Sequence, residues 1–574
     1  MKKKIPVLII LFLGFFLRFY DLGGNSLWKD EIFSAIESKK KFLELLSTKS
    51  WDYYGYAPVH YIFTHLAMLF GSSDFVVRFP AALFGSFTLL VVYQLTKIAF
   101  GQIAGISALL VLSISPLHIQ YSREVRYYTY LVFFCSLTLF YAYKLVIQKQ
   151  KTKPVFLYLT SSLMALATQL TAVLVLASEV IFFCITLTLS MIKNRKTIFR
   201  NINYRYLKSK NGLLLMLGAM ILIILSMRFV NSFGDFFNSV SYRPIMAPLE
   251  YSKYLLNSLA GSKELLVLLS PLAIIGIVYG FIKNKDASIL LLLLLLLPSL
   301  ILFGYRPAAI SEINIRYLIY IAIPFSIFVG IGLSVFKKTW PLYFLLITSI
   351  LSYSYQPLQT YFARKIGDWR GVARYIINQG QPGDVVIPDG DYNIQLLDYY
   401  LEASKSGYII KPANQAIYPK SYPFTIFYLQ HDYQKPNGEL NPDAIYATEF
   451  KTIKIFDAQI SKLHLIQSFP VNYWQEAESG WKENGGWTEG DFWGLKVVSN
   501  HALNSPINQI SYEFNLKESG YYNVWLNLRH DGARGILTYQ VDSTTPQTLQ
   551  ALYGKAGEVS PWIIKEKKLG KYFL

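Results

Sequence analysis

Residues 283–303 read KNKDASILLLLLLLLPSLILF: four polar residues, then an aliphatic run interrupted only by Ala, Ser and Pro. A run of this length without a charge after Asp286 spans a bilayer core, and the lysines before it mark a cytoplasmic end. Working outward, similar runs lie near 4–20, 79–98, 102–118, 128–147, 155–169, 171–191, 211–230, 264–282, 316–336 and 339–356. With 286–303 they make about 11 transmembrane helices. The bulk composition agrees: 53% of the 574 residues are hydrophobic and only 16% are charged, against about 25% charged in an ordinary soluble domain. Mean hydropathy is +0.31.

The formal net charge is +19. In a soluble protein such an excess points to nucleic acid. Here it collects in short loops between apolar runs, above all in 193–210, which holds seven Lys and Arg. That is a topology signal, and no nucleic-acid partner is expected. With MKKK inside, an odd number of spans leaves everything after residue 356 outside. Localisation is therefore the cell (inner) membrane, multi-pass, with extracytoplasmic C-terminal domains. Residues 1–17 resemble a signal peptide, but no small-residue cleavage site follows, so they are read as an uncleaved first helix. Cys135 and Cys184 both lie in apolar runs, which excludes a structural disulfide in the soluble part.

Beyond residue 358 the pattern changes. DWRGVARYIINQ and NIQLLDYYLEAS are amphipathic helices, and PGDVVIPDG, FTIFYLQH and TIKIFDAQ hold strands. Residues 359–468 are thus predicted as an extracytoplasmic α/β domain. From 469 to 574, alternating strands such as YYNVWLNLRH predict a C-terminal β-sandwich. Trp474, Trp481, Trp487 and Trp493 there could stack on sugar rings or pack a core.

Four stretches carry possible chemistry. In NSLWKDEIFSAIES (25–38), Asp30 and Glu31 open a helix beside Trp28. Acids at a helix start ordinarily complement its dipole. Trp28 is predicted at the bilayer interface, which would put the carboxylates at headgroup depth. In SPLHIQYSREVRYYTY (115–130), Arg123 and Arg126 share a face if the segment is helical, as do Arg123 and Tyr127, with Glu124 between. Two guanidiniums at the outer surface suit a phosphate; an interfacial Arg/Tyr belt is the alternative. Arg316 opens a span on the side where cations are disfavoured, with Glu312 as a structural alternative partner. DEIFSAIESKKKFLELL and PVHYIFTHLAMLF read as interfacial helices, the second carrying His60 and His65. No metal-ligand spacing, Walker A motif or nucleotide-binding glycine fingerprint is present.

The order SLWKDE, YAPVHYIFTHLAMLFGSSDFVVRFPAALFG, YSREVRYYTY, RYLIYIAIP and DWRGVARYI resembles the GT-C glycosyltransferases, specifically bacterial relatives of protein O-mannosyltransferases and lipid A aminoarabinose transferases, over roughly residues 1–400. The resemblance implies an inverting sugar transfer from a polyprenyl-phosphate donor to a protein or glycan acceptor, beside membrane lipids. It implies that Asp30 and Glu31 are catalytic and that Arg123, Arg126 and Tyr127 meet the donor phosphate. Arg316 joins that phosphate set, with Tyr56, His60 and Glu124 as further active-site candidates. Some members hold a metal ion. Tyr56 and Ala57 here replace the usual His or Lys and Pro, and Gln169 replaces a His, so a divalent metal is possible but its ligands are unassigned. The C-terminal segment, opening on QEAESG, is similar to carbohydrate-binding modules.

A lipid or glycan transporter or flippase would also be polytopic. It predicts charges inside the spans and broken, repeated helices; Glu179 is the main charge inside a span. A non-catalytic adhesin would not need so many helices.

Overall fold

A computed structural model describes residues 5–46, 58–148, 152–193, 248–305, 315–364 and 367–388, then 391–402, 408–410, 425–432 and the later strands named below. The chain divides into two compact units. One comprises residues 1–25 and 29–364; the other comprises Ser26–Trp28 and 365–574.

In the first unit the apolar runs fold as helices: α1 (Ile5–Phe19), α5 (Asp74–Phe100), α6 (Gln102–Ser113), α8 (Tyr128–Val146), α9 (Thr152–Leu166), α10 (Ala172–Lys193), α12 (Lys263–Lys283), α13 (Lys285–Tyr305), α14 (Ala322–Val335) and α15 (Trp340–Ala363). Between them lie α2 (Lys29–Ser38), α3 (Phe42–Leu45), α4 (Val59–Met68), α7 (Pro116–Ser122), α11 (Pro248–Ala260) and a 3₁₀ segment, Ile315–Ile321. The run at 211–230 lies outside the described residues. By length and apolarity, four described stretches suffice to cross a membrane: 74–100, 128–146, 263–283 and 315–338. The pair α6 and α7, bent by 62°, makes a fifth if it is counted as one span.

Gly101, at φ +102°, separates α5 from α6; this left-handed conformation favours glycine and lets two helices meet without a linker. α14 is the hub of the bundle, buried along nearly its whole length. A Cβ at Gly276 would strike the Phe328 carbonyl, and one at Gly332 that of Leu272, so the two glycines let α12 and α14 pack backbone to backbone. Glu179, the charge inside α10, is buried and accepts from the Tyr158 hydroxyl at 2.8 Å.

The second unit contains α16 (Trp369–Gln379), α17 (Asp391–Glu402) and a five-stranded sheet, β2-β1-β3-β5-β4. Its strands are β1 (Val385–Pro388), β2 (Ile409–Ile410), β3 (Ile426–Asp432), β4 (Thr452–Phe456) and β5 (Lys462–Gln467). β1 runs parallel to β2 and β3, while β5 is antiparallel to β3 and β4. Asp368 caps α16 through Gly371 N (2.9 Å), and Trp369, Val372, Ala373 and Ile376 form its buried face. Asp384 ties the entries to β1 and β3 together, accepting from Gln381 N and Thr425 N at 2.7 Å each.

Further along, the described strands pair antiparallel in twos: β6 (Trp481–Asn484) with β9 (Gln509–Tyr512), β7 (Trp487–Phe492) with β8 (Leu495–Asn500), β10 (Tyr521–Arg529) with β13 (Ile564–Phe573), and β11 (Ile536–Tyr539) with β12 (Gln547–Gln550). Trp474 and Trp493 lie outside the described residues.

Candidate functional site

α2 begins at Lys29, so Asp30 and Glu31 both sit in its first turn, as the sequence predicts. Their surroundings differ completely. Glu31 is fully buried. Its carboxylate accepts from Arg78 Nε (2.8 Å), Arg78 Nη2 (2.6 Å) and Val125 N (2.9 Å). Arg78 Nη1 donates to the carbonyls of Leu22 (3.1 Å) and Asn25 (2.7 Å). A bidentate pair of this kind is strong and geometrically exacting. Glu31, expected to share the chemistry with Asp30, staples α2 to α5 and to the turn before α8. Arg78 was missed in the sequence, although a lone guanidinium near the start of an apolar helix is a usable signal.

Asp30 faces outward, with 30% of its side chain accessible. Its Oδ2 stands 3.9 Å from Arg126 Nη2 and 3.9 Å from Arg316 Nη1. Arg126 Nη1 also donates to the Asp30 carbonyl (3.3 Å) and to Ser34 Oγ (3.1 Å). Aromatic faces hold both cations in place. Arg126 lies over Tyr127 (5.3 Å) and Tyr128 (6.0 Å); Arg316 lies over Tyr317 (5.0 Å) and Tyr128 (6.0 Å) and donates to the Tyr317 hydroxyl at 3.1 Å. The turn at 168–171 braces the segment carrying Arg316: Thr171 Oγ1 donates to the Tyr317 carbonyl (3.1 Å), and the Tyr320 hydroxyl donates to that of Thr171 (3.4 Å). Gln169 Oε1 accepts from Thr171 N at 2.9 Å, which shapes that turn.

Tyr127 is buried beside Arg126, with His60 edge-on at 5.8 Å; His60, on α4, is fully buried and packs on Tyr61 at 3.8 Å. His65 packs against the end of α2, its Nδ1 2.9 Å from the Ser38 carbonyl oxygen. Glu124 Oε1 accepts from Gln120 Nε2 at 3.3 Å. Burial, and after it the Glu31 carboxylate, push the Glu124 carboxyl up to about 8, against the pull of Gln120, Arg126 and Arg316. Tyr56 and Glu312 lie outside the described residues.

Arg123 does not join this group. α7 ends at Ser122 and α8 begins at Tyr128, so Arg123 and Arg126 do not share a helix face. Arg123 donates instead to the carbonyls of Leu17 (3.3 Å), Arg18 (3.2 Å), Tyr20 (2.5 Å) and Asp21 (3.0 Å), and lies over Phe362 at 4.9 Å. It satisfies the unpaired carbonyls at the end of α1. Arg18 does the same for the bend after α6: it donates to Leu112 and Ser113 (both 3.2 Å) and to His118 Nδ1 (2.7 Å). Arg123, expected at the donor phosphate, caps the end of α1 in this arrangement.

Among the described residues no group of three His, Cys, Asp or Glu side chains gathers as a metal site. The cluster at Asp30 offers one carboxylate and two cations, a donor set for an anion.

Residues 57–202 match the model of the family dolichyl-phosphate-mannose-protein mannosyltransferase. That stretch holds His60, Arg78, Glu124 and Arg126 and begins after Asp30. No curated protein matches the chain. Among solved structures, ArnT from Cupriavidus metallidurans bound to undecaprenyl phosphate aligns with TM-score 0.51 at 11% identity, over 81% of this chain and 98% of that one. The fold is similar to that of this ArnT. Apo ArnT aligns at TM-score 0.49 and 13% identity over 80% and 97% of the two chains. The oligosaccharyltransferase AglB from Archaeoglobus fulgidus, in complex with an inhibitory peptide and a dolichol-phosphate, aligns at 0.44 and 12% over 72% and 64%.

Proposed function

We propose that this protein is an inverting glycosyltransferase that moves a sugar from a polyprenyl-phosphate donor to a hydroxyl on an extracytoplasmic protein or glycan acceptor. The observation that carries the reading is the meeting of Asp30 with Arg126 and Arg316, from three separate parts of the chain, each cation 3.9 Å from one carboxylate oxygen. Two guanidiniums beside one carboxylate carry a net positive charge, which attracts an anion. A lipid phosphate is an anion already at the membrane surface.

In this reaction the acceptor oxygen bonds to the anomeric carbon, the carbon–oxygen bond to phosphate breaks, and polyprenyl phosphate leaves with the electron pair. Asp30 takes the acceptor proton; Arg126 and Arg316 hold the phosphate as its charge grows. When phosphate draws the two cations toward itself, the Asp30 carboxylate is released to act as base. Tyr127 and Tyr128 orient Arg126, and Glu31 fixes the helix that carries Asp30.

The reading includes about 11 transmembrane helices over 1–358, placement in the inner membrane, an extracytoplasmic α/β domain over 359–468 and a glycan-binding sandwich over 469–574. Its support is the lysine-rich loops, the helices at ten of the expected runs, the five-stranded sheet and the paired strands after residue 480. The test is sugar transfer by the purified Asp30→Asn protein from polyprenyl-phosphate sugars extracted from the source membranes. A loss of about 10²–10⁴-fold is expected. Wild-type rates in a folded variant would overturn the assignment.

A further inference from the structure

Ser26–Trp28 belong to the same compact unit as residues 365–574, and the chain then passes directly into Lys29 and α2. Within that unit the three residues are seated by specific bonds. Ser26 is buried; its Oγ donates to Asp368 Oδ1 (3.0 Å) and accepts from Arg370 N (3.2 Å). Asp368 Oδ1 is the same oxygen that caps α16. Leu27, fully buried, donates its N–H to the Tyr400 hydroxyl at 2.8 Å. This explains why SLWKDE and DWRGVARYI, more than 300 residues apart, both belong to the recognisable pattern.

Only Lys29 and Asp30 lie between this seat and Glu31, which is fixed by Arg78 and Val125. Asp30 has its cationic partners at 3.9 Å, so its carboxylate is placed by the backbone on either side. We propose that Ser26, Asp368 and Tyr400 are positioning residues for Asp30, making transfer depend on how the mixed unit holds residues 26–28. The inference rests on the function proposed above. A displacement of about 1 Å at a reacting group can cost on the order of 10²-fold in rate.

The test uses the full chain in nanodiscs. Transfer is measured with polyprenyl-phosphate sugars extracted from the source membranes, and binding is measured with undecaprenyl phosphate. Tyr400→Phe and Ser26→Ala should each lower kcat by roughly tenfold while leaving donor KM and undecaprenyl phosphate affinity within about twofold. Asp368→Asn, which keeps an acceptor oxygen for Ser26 and for the cap, should stay within about threefold of wild type; Asp368→Ala should not. Unchanged kcat in both Tyr400→Phe and Ser26→Ala would overturn the proposal. So would a parallel fall in undecaprenyl phosphate affinity, which would mean general loosening of the fold. A wild-type protein that binds no undecaprenyl phosphate and consumes no such donor overturns the proposed function itself, and this inference with it.

Discussion

Asp30 and Glu31 are neighbours in sequence, in the first turn of one helix, yet they occupy opposite kinds of site. Glu31 is sealed from solvent, and its oxygens are taken by Arg78 and Val125 N. Asp30 is 30% accessible and shares one oxygen between two cations at 3.9 Å. A single residue step turns the side chain about 100° around the helix, enough to separate a structural face from an open one. Saturation at one carboxylate and incompleteness at the next distinguish a staple from a site.

The guanidiniums divide in the same way. Arg18 and Arg123 are occupied by backbone carbonyls at helix ends, whereas Arg126 and Arg316 look toward one carboxylate. The sharpest way to break the comparison is through stability. Glu31→Gln leaves Arg78 buried against a neutral partner, and the loss should be about 3–5 kcal/mol, read as a large fall in melting temperature in detergent. Asp30→Asn should melt close to wild type while losing transfer. If the two variants melt alike, the contrast fails.

Binding should sort the arginines next. Arg126→Ala or Arg316→Ala should weaken undecaprenyl phosphate binding by roughly tenfold or more, each removing a charge-assisted contact of about 1.5–3 kcal/mol. Arg123→Ala should leave that affinity within about twofold and lower the melting temperature instead, because carbonyls at the end of α1 lose their donors. An Arg123→Ala protein of native stability with weakened affinity would restore the phosphate role that the sequence suggests.

Much of this was legible in the sequence, and its limits have physical causes. Periodicity and length locate the helices because burial in lipid demands long apolar runs. Asp30, Arg126 and Arg316 could be grouped because topology and resemblance place all three on one side. A shared face for Arg123 and Arg126 requires a continuous helix, and the helix before them ends at Ser122. Local spacing does not reveal that break, nor that carbonyls at the end of α1, about a hundred residues earlier, would claim the guanidinium. Arg78 escaped for the related reason that its partner Glu31 is 47 positions away, beyond any i, i+4 rule. The seating of Ser26 and Leu27 by Asp368, Arg370 and Tyr400 was equally out of reach, because those partners lie more than 300 residues away.

The smallest expected effect lies at Glu124, beside Glu31. It faces Gln120 from α7, Glu31 from α2, and Arg126 and Arg316 from the cluster at Asp30, with Tyr121 and Tyr361 also within electrostatic range. Its carboxyl is pushed up from the ordinary 4.5 to about 8. An acid raised on folding holds its proton in the folded state after the unfolded chain has lost it. Its ionisation therefore costs nothing below pH 4.5, and the cost grows until the folded group titrates near 8. Stability should decline across that window in the wild type, and Glu124→Gln should remove the decline, gaining a few degrees at pH 8 and nothing at pH 4.5. The same neutrality keeps the cluster cationic, since Glu124 adds no negative charge beside Arg126 and Arg316 at neutral pH. Undecaprenyl phosphate affinity should then weaken by a few-fold above pH 8 in the wild type and stay level in Glu124→Gln. Melting curves that run parallel from pH 4.5 to 8 in the two proteins would show that Glu124 is already ionised, and that Glu31 is held by Arg78 tightly enough to tolerate a second charge beside it.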